Sequence, residues 1–346
     1  MSLSDRILGF YERVLLQHNL ESVAIEVERF ASEILGCGNL RVELGWDGPT
    51  DGPTFIPLHA VDGSLVARLV CDRPVGHFQS QQCAVFLKMA AWAIRRTHLL
   101  RAARENSELL NSLQSARTIV EEGLPKGSLK HSHWQVSGEL QPAFHVGGDC
   151  YSYMVSEDAL CFLVLDAVGH GLGSAVLAAG CRALWRGVAF ETDLGLAVTR
   201  LNRRLFEDTG PERFVAATLG YCYPDGSVEY VTCGQSPLFH ISKQGVKILP
   251  FCDPPLGLFA DQLFEVQKVQ LEAGESLLCV TDGVLEWANS AGEFFGEEGV
   301  AQALSQDTSD SREMTLAILR SLADFHYRAN PGDDVCLLAL RRLPSG

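Results

Sequence analysis

Basic residues are few: 28 Lys and Arg stand against 43 Asp and Glu, a formal net charge of −15. No basic surplus is available to neutralise a phosphate backbone, which argues against a nucleic-acid partner and against binding to an anionic membrane surface. No stretch reaches the roughly 18 uninterrupted apolar residues that a membrane-spanning helix needs. The opening Met1-Ser2-Leu3-Ser4-Asp5-Arg6 lacks the charged-then-apolar layout of a signal peptide. The eleven cysteines never form Cys-x-x-Cys, the usage of a reducing compartment where cysteine serves as a small hydrophobe. A cytoplasmic protein without structural zinc is expected; His131 and His133 lie close together but have no Cys or His partner nearby, and read as solvated loop residues.

What is present is ample core material: 47% of 346 residues are hydrophobic, enough for two domains and a connection. From Leu3 to about Leu35, Ile7, Phe10, Val14, Leu20, Val23, Val27, Phe30 and Ile34 recur at helical spacing, and Gly36 and Gly38 stop the pattern. Leu40, Val42, Leu44 and Trp46 alternate with Arg41, Glu43 and Gly45 as a half-buried strand. Phe55 to His59 and Leu65 to Cys71 read as two further strands, with Asp62-Gly63 at the hairpin turn. A long helix is expected from Phe78, apolar at Val85, Met89 and Trp92.

That helix continues beyond the first domain. Leu99, Ala102, Asn106, Leu109, Leu113, Ala116 and Val120 alternate steps of three and four, the seam of a short coiled coil with Asn106 at an a position. A parallel homodimer through residues 99–120 is one reading; an amphipathic helix packed on its own chain is the other. Gly123, Pro125 and Gly127 end the segment.

From Trp134 the chain turns β-rich. Strands are predicted at Trp134 to Leu140, Cys150 to Val155, Leu160 to Leu165, Ala216 to Tyr223, Val228 to Cys233, Leu238 to Ser242, Leu263 to Leu271, Leu277 to Thr281 and Val335 to Arg341. Helices fit at Gly173 to Arg186, Leu194 to Phe206 and Arg312 to His326. This predicts an α+β fold, an antiparallel sandwich flanked by helices.

Aspartates punctuate the strand ends: Asp149 after Val146-Gly147-Gly148, Asp166 after Phe162-Leu163-Val164-Leu165, Asp282 after Leu277-Leu278-Cys279-Val280-Thr281, and Asp333-Asp334 ahead of Val335. Singly, each Asp-Gly or Gly-Asp pair is a turn signal. Gathered at one rim, they suggest an all-oxygen site for Mg²⁺ or Mn²⁺.

The motifs also recur in a recognisable order. Pro142-Ala143-Phe144-His145-Val146-Gly147-Gly148-Asp149, Asp166-x-x-Gly-His-Gly171, Phe214-Val215-Ala216-Ala217 and Cys233-Gly234-Gln235-Ser236-Pro237 are followed by Pro255-Leu256-Gly257, Gly274-Glu275-Ser276, Thr281-Asp282-Gly283-Val284-Leu285-Glu286, Gly292-Glu293-Phe294-Phe295-Gly296 and Asp333-Asp334-Val335. This set resembles the PPM-type, protein-phosphatase-2C-like serine phosphatases of bacteria, in the branch of the stage II sporulation protein E and sigma-factor regulators. The amino-terminal segment resembles a GAF domain, in Phe55-Ile56-Pro57-Leu58 and in the closing Ala90-Ala91-Trp92-Ala93-Ile94 helix. The organisation implied is a GAF-like regulatory domain at 1–97, a helical linker at 98–125 and a phosphatase domain at 126–346.

The resemblance implies that Asp166 bridges two Mn²⁺ or Mg²⁺ ions with help from the Ala167 carbonyl. Asp149 would help hold one ion, and Asp282 and Asp333 the other; a water activated between them would attack the phosphoryl group. The implied activity is hydrolysis of phosphoserine or phosphothreonine on a protein, such as an anti-sigma-factor antagonist. A signalling scaffold that retains the fold without turnover, and a hydrolase of small phosphoesters, are the alternatives. Three positions depart from the family pattern: Ser152 replaces a common Asp, which would loosen metal binding; His170 stands where Lys is common; and Gln235 stands where His is common. Glu286 reads either as a helix-start cap or as a catalytic group. Arg213 reads either as a phosphate contact or as a partner of Glu212 or Glu207.

Overall fold

The computed structural model describes residues 3–17, 19–35, 40–44, 55–60, 62–71, 81–131, 133–156, 158–210, 212–234, 237–250, 253–305, 310–325 and 332–344. Gly36, Gly38, Gly45, Trp46, Phe78, Gln235, Ser236 and His326 lie outside them. The chain divides into two compact units, Met1–Asn111 and Ser112–Gly346.

In the first unit the single helical stretch of the sequence is two helices, α1 (Leu3–Leu15) and α2 (Leu20–Leu35). The Asn19 carboxamide accepts from Ser22 N at 2.7 Å and starts the second, the usual work of an N-cap. Strands β1 (Leu40–Leu44), β2 (Phe55–His59) and β3 (Leu65–Cys71) form an antiparallel sheet in the order β1-β3-β2. Helix α3 (Gln81–Glu122) follows and passes the unit boundary without interruption. Its inner face is only partly the one expected, for Met89 packs on the core but two of its companions do not. Phe86, Ala90, Ala93, Ile94 and Thr97 are buried, whereas Val85 and Trp92 are exposed. Phe86 meets Phe10 edge-on and Phe30 at a tilt, with ring centroids 5.2 Å from each, and that aromatic cluster fixes the helix rotation.

The second unit is a sandwich of two antiparallel sheets. One runs β11-β10-β13-β14-β5-β4 and the other β12-β9-β8-β7-β6. Their strands are β4 (Ser128–His131), β5 (Trp134–Gln141), β6 (Asp149–Val155), β7 (Leu160–Ala167), β8 (Val215–Cys222), β9 (Ser227–Cys233), β10 (Leu238–Ser242), β11 (Gly245–Ile248), β12 (Gln267–Gln270), β13 (Ser276–Val280) and β14 (Val335–Arg342). Helices α4 (Leu172–Val188) and α5 (Leu194–Thr209) cover the five-stranded sheet. Helices α6 (Asp282–Leu285), α7 (Gly296–Ala303) and α8 (Ser311–Phe325) cover the other.

This layering explains the near-continuous apolar runs of β7, β13 and β14, which are covered on both faces and have no solvent side on which to alternate. One core lies around the facing sheets and reaches under α4 and α5; a second, around Phe239, Val284, Met314 and Ile318, lies beneath α6 to α8. Trp185 of α4, fully buried and 6.1 Å from the Tyr221 ring, fixes the first helix on its sheet. The predicted strand at Leu263 to Leu271 contracts to β12, and α6, α7, β4 and β11 were not anticipated.

Candidate metal centre

Antiparallel register places Asp149 of β6 directly opposite Asp166 of β7. Residues paired in this way share a face, with Cβ atoms roughly 5 Å apart. Val168 N bonds Phe214 O just beyond β7, and the chain then turns through Gly169 and Gly171 at φ 94° and 78° into α4. Asp282 follows β13 at the first position of α6, and Asp333 precedes β14 on the adjacent strand.

Asp149 is almost wholly buried, and its Oδ2 accepts from the Thr281 hydroxyl at 2.6 Å. The same hydroxyl accepts from Cys336 N at 3.1 Å, so one buried side chain ties β13, β14 and β6 together at the rim. Asp334 organises the preceding loop. Its Oδ1 accepts from Ala143 N at 2.7 Å, and its Oδ2 from Gly148 N at 2.7 Å and Asp149 N at 3.4 Å. The two glycines follow from this: a methyl on Gly147 would collide with the Asp334 carboxylate, and one on Gly148 would meet the Ala167 carbonyl at 2.8 Å. The sequence marks Asp334 only as the strand-end neighbour of Asp333 and Thr281 only as the motif neighbour of Asp282, and it assigns neither a role.

Asp149, Asp166 and Asp282 feel the carboxylates around them. Burial pushes Asp166 up to about 6, with the charges of Asp282 and Asp333 adding to it. Burial and then Asp166 drive Asp149 well above the ordinary carboxylate range, against the pull of Thr281. Burial raises Asp282 too, followed by Asp333 and Glu286. These are groups held where ionisation is opposed, the condition a cation relieves. Among the described residues no three His, Cys, Asp or Glu side chains stand close enough to make a finished ligand cage. The donors (four carboxylates with the Ala167 carbonyl facing Gly148) nonetheless fit a hard divalent cation and offer no thiol or imidazole to a softer one.

The remaining candidates separate. His170 is exposed and packs 5.8 Å from the exposed Phe144 ring. Glu286 follows the last residue of α6, so it caps no helix start; its N–H donates to Asp282 O. Glu207 pairs with Arg203 at 3.9 Å rather than with Arg213, which is exposed. Ser152 lies three residues along β6 from Asp149 and therefore on the opposite pleat. Tyr151, next to it, faces Gly138 of the other sheet, so Ser152 points toward the helical layer, fully buried and with an unpartnered Oγ. That direction leads away from the aspartate cluster and removes the reason to expect Ser152 to tune metal binding.

A family model described as Stage II sporulation protein E (SpoIIE) matches residues 156–343, more than half of the chain. The chain belongs to the SpoIIE family. Protein IcfG of Synechocystis sp. is 24% identical over 261 residues, covering 66% of this chain and 41% of IcfG. Phosphoserine phosphatase RsbP of Bacillus subtilis is 23% identical over 238 residues, covering 65% of this chain and 56% of RsbP. The chain thus spans about half the length of these curated relatives. Among solved structures, the SiaA-PP2C domain of Pseudomonas aeruginosa superposes with a TM-score of 0.61 at 21% identity, covering 69% of this chain and 99% of that domain. The α+β sandwich is therefore the fold of the PP2C domains, and SpoIIE-family membership accounts for the ordered motifs that carry it.

Proposed function

We propose that residues 126–346 form a metal-dependent phosphatase acting on phosphoserine or phosphothreonine of a regulatory protein. The observation that carries this reading is the pairing of Asp149 with Asp166 across β6 and β7, at the rim where Asp282 and Asp333 also raise the resident carboxyl groups. Asp149, Asp166, the Ala167 carbonyl, Asp282 and Asp333 would hold two Mn²⁺ or Mg²⁺ ions. Bound there, the metals would supply an acidified water and neutralise charge on the phosphoryl oxygens.

The chain's own contribution is placement. Thr281 holds Asp149 in one rotamer, and Asp334 pins the loop that delivers it. Phe144 and His170 form an exposed lip beside that loop, where a protein substrate can rest. RsbP, a phosphoserine phosphatase by name, supports a phosphoserine substrate, and the resemblance of the ordered motifs to sigma-factor regulators points to an anti-sigma-factor antagonist as the protein that carries it. The GAF-like segment 1–97 would regulate the site through the linker at 98–125. Leu109, 58% exposed, leaves the seam free for a second copy of the chain.

The test is hydrolysis of a phosphoserine peptide with added Mn²⁺, with Mg²⁺, and with chelator. Activity with either metal, lost with chelator and in Asp166→Asn, is expected. Metal-independent turnover, or an Asp166→Asn variant as fast as the parent, refutes the assignment. Tight phosphoprotein binding without turnover would favour the scaffold instead.

A further inference from the structure

The first unit carries a groove of about 1150 Å³ that the phosphatase reading leaves unused. Its floor lies between the edge strand β2 and the outward face of α3, from Ala84 to Ala103. Nineteen residues of helix rise roughly 28 Å, so the groove is long rather than round. It also accounts for the exposure of Trp92, which lines this groove with Leu99 and Leu100 rather than entering the core.

The charge in the groove is opposite to that of the chain. Among the described residues Lys88, Arg95 and Arg96 line it, against a single carboxylate, Asp62. Asp62 is already engaged, by Arg95 at 2.7 Å and by the Ser64 hydroxyl at 2.6 Å. Arg96 lies over the Trp92 indole, its guanidinium 5.8 Å from the ring centroid, and it forms no ion pair among the described residues. Guanidinium stacked on indole leaves its N–H edges free for a planar anion. Among the described residues the lining contains no Asn, Gln, Ser or Thr. A nucleotide base would find no side-chain amide or hydroxyl to read its edge, whereas an alkyl chain would find Leu87, Trp92, Leu99 and Leu100.

We infer that this groove binds a single-chain amphipathic carboxylate, its chain along α3 and its head group at Arg96 and Lys88. The protein would thereby take a soluble long-chain acid as its input. Charge complementarity and apolar length select this occupant, whatever the second unit hydrolyses.

The experiment is calorimetric titration of the full chain with dodecanoate, and with dodecyltrimethylammonium and inorganic phosphate as probes of chain and charge alone. Saturable binding of dodecanoate near one equivalent, with neither control binding comparably, is expected. Arg96→Gln should weaken it about tenfold, the effect of one charge-assisted contact. Leu100→Asp, at an exposed position that tolerates polarity in the free protein, should abolish it. Equal binding of the cationic amphiphile overturns the inference, because the cations would then be irrelevant. So does dodecanoate binding indifferent to both substitutions, or a sedimenting dimer that both substitutions dissociate and dodecanoate leaves intact. The last result would assign the groove to a second copy of the chain.

Discussion

Replacing Asp166 by Asn should stabilise the metal-free protein while destroying its activity. Asp166 titrates at about 6 instead of 3.8, chiefly because it is buried and then because Asp282 and Asp333 share its surroundings. Between those two values the unfolded chain has released the proton and the folded chain retains it. Stability contributed by this group is therefore whole below pH 4 and falls as pH rises toward 6, the reverse of a salt-bridged carboxylate. The full gap corresponds to about 3 kcal/mol, and solvent reaching the rim reduces the realised value to about 1–3 kcal/mol. Asn removes the titrating charge and can still donate to Asp149. Guanidinium unfolding in chelator, followed by near-ultraviolet signals of the second unit, should show Asp166→Asn and the parent alike at pH 4. At pH 7 the variant should be ahead by the stated amount. A variant equal to or weaker than the parent at pH 7 would show that the carboxylates are not in electrostatic conflict.

Three further outcomes follow from single contacts. Thr281→Val removes the donor to Asp149 and leaves Cys336 N without its acceptor, so it should lower unfolding stability by about 2–4 kcal/mol, with Thr281→Ser recovering most of it. Ser152→Ala should be neutral or slightly stabilising, since its Oγ has no partner, whereas Ser152→Asp should unfold the domain rather than sharpen metal binding; a Mn²⁺ titration and a melting curve of each distinguish the two effects. Changing Leu109 and Leu113 to polar residues should dissociate the proposed dimer in sedimentation, while Asn106→Leu should strengthen association and blur oligomer number; a monomeric parent would contradict the coiled-coil reading.

The sandwich was legible because β7, β13 and β14 carry uninterrupted apolar runs that end at turn residues, and a strand between a sheet and a helical layer reads that way. Helix α3 was legible in length but not in rotation. Every side of it carries apolar residues, and only contact with Phe10 and Phe30 selects Phe86 over Val85. Asp149 and Asp166 could be found as strand ends, but their pairing is a property of register. Asp334 and Thr281 escaped for a different reason. Their work is done on residues 55 to 191 positions away, through backbone N–H groups and a buried carboxylate that local spacing does not reveal. Strands β4 and β11 are only four residues each, too short for a periodic signal.

The claim at the centre is that one rim of four aspartates holds the metals on which hydrolysis depends. Counting Mn²⁺ bound to the full chain by paramagnetic resonance tests it directly, with Asp149→Asn, Asp166→Asn, Asp282→Asn and Asp333→Asn alongside. Two ions per chain, with both weakened in Asp166→Asn and one weakened in each of the others, is the predicted result. Undiminished Mn²⁺ binding in Asp166→Asn would contradict it.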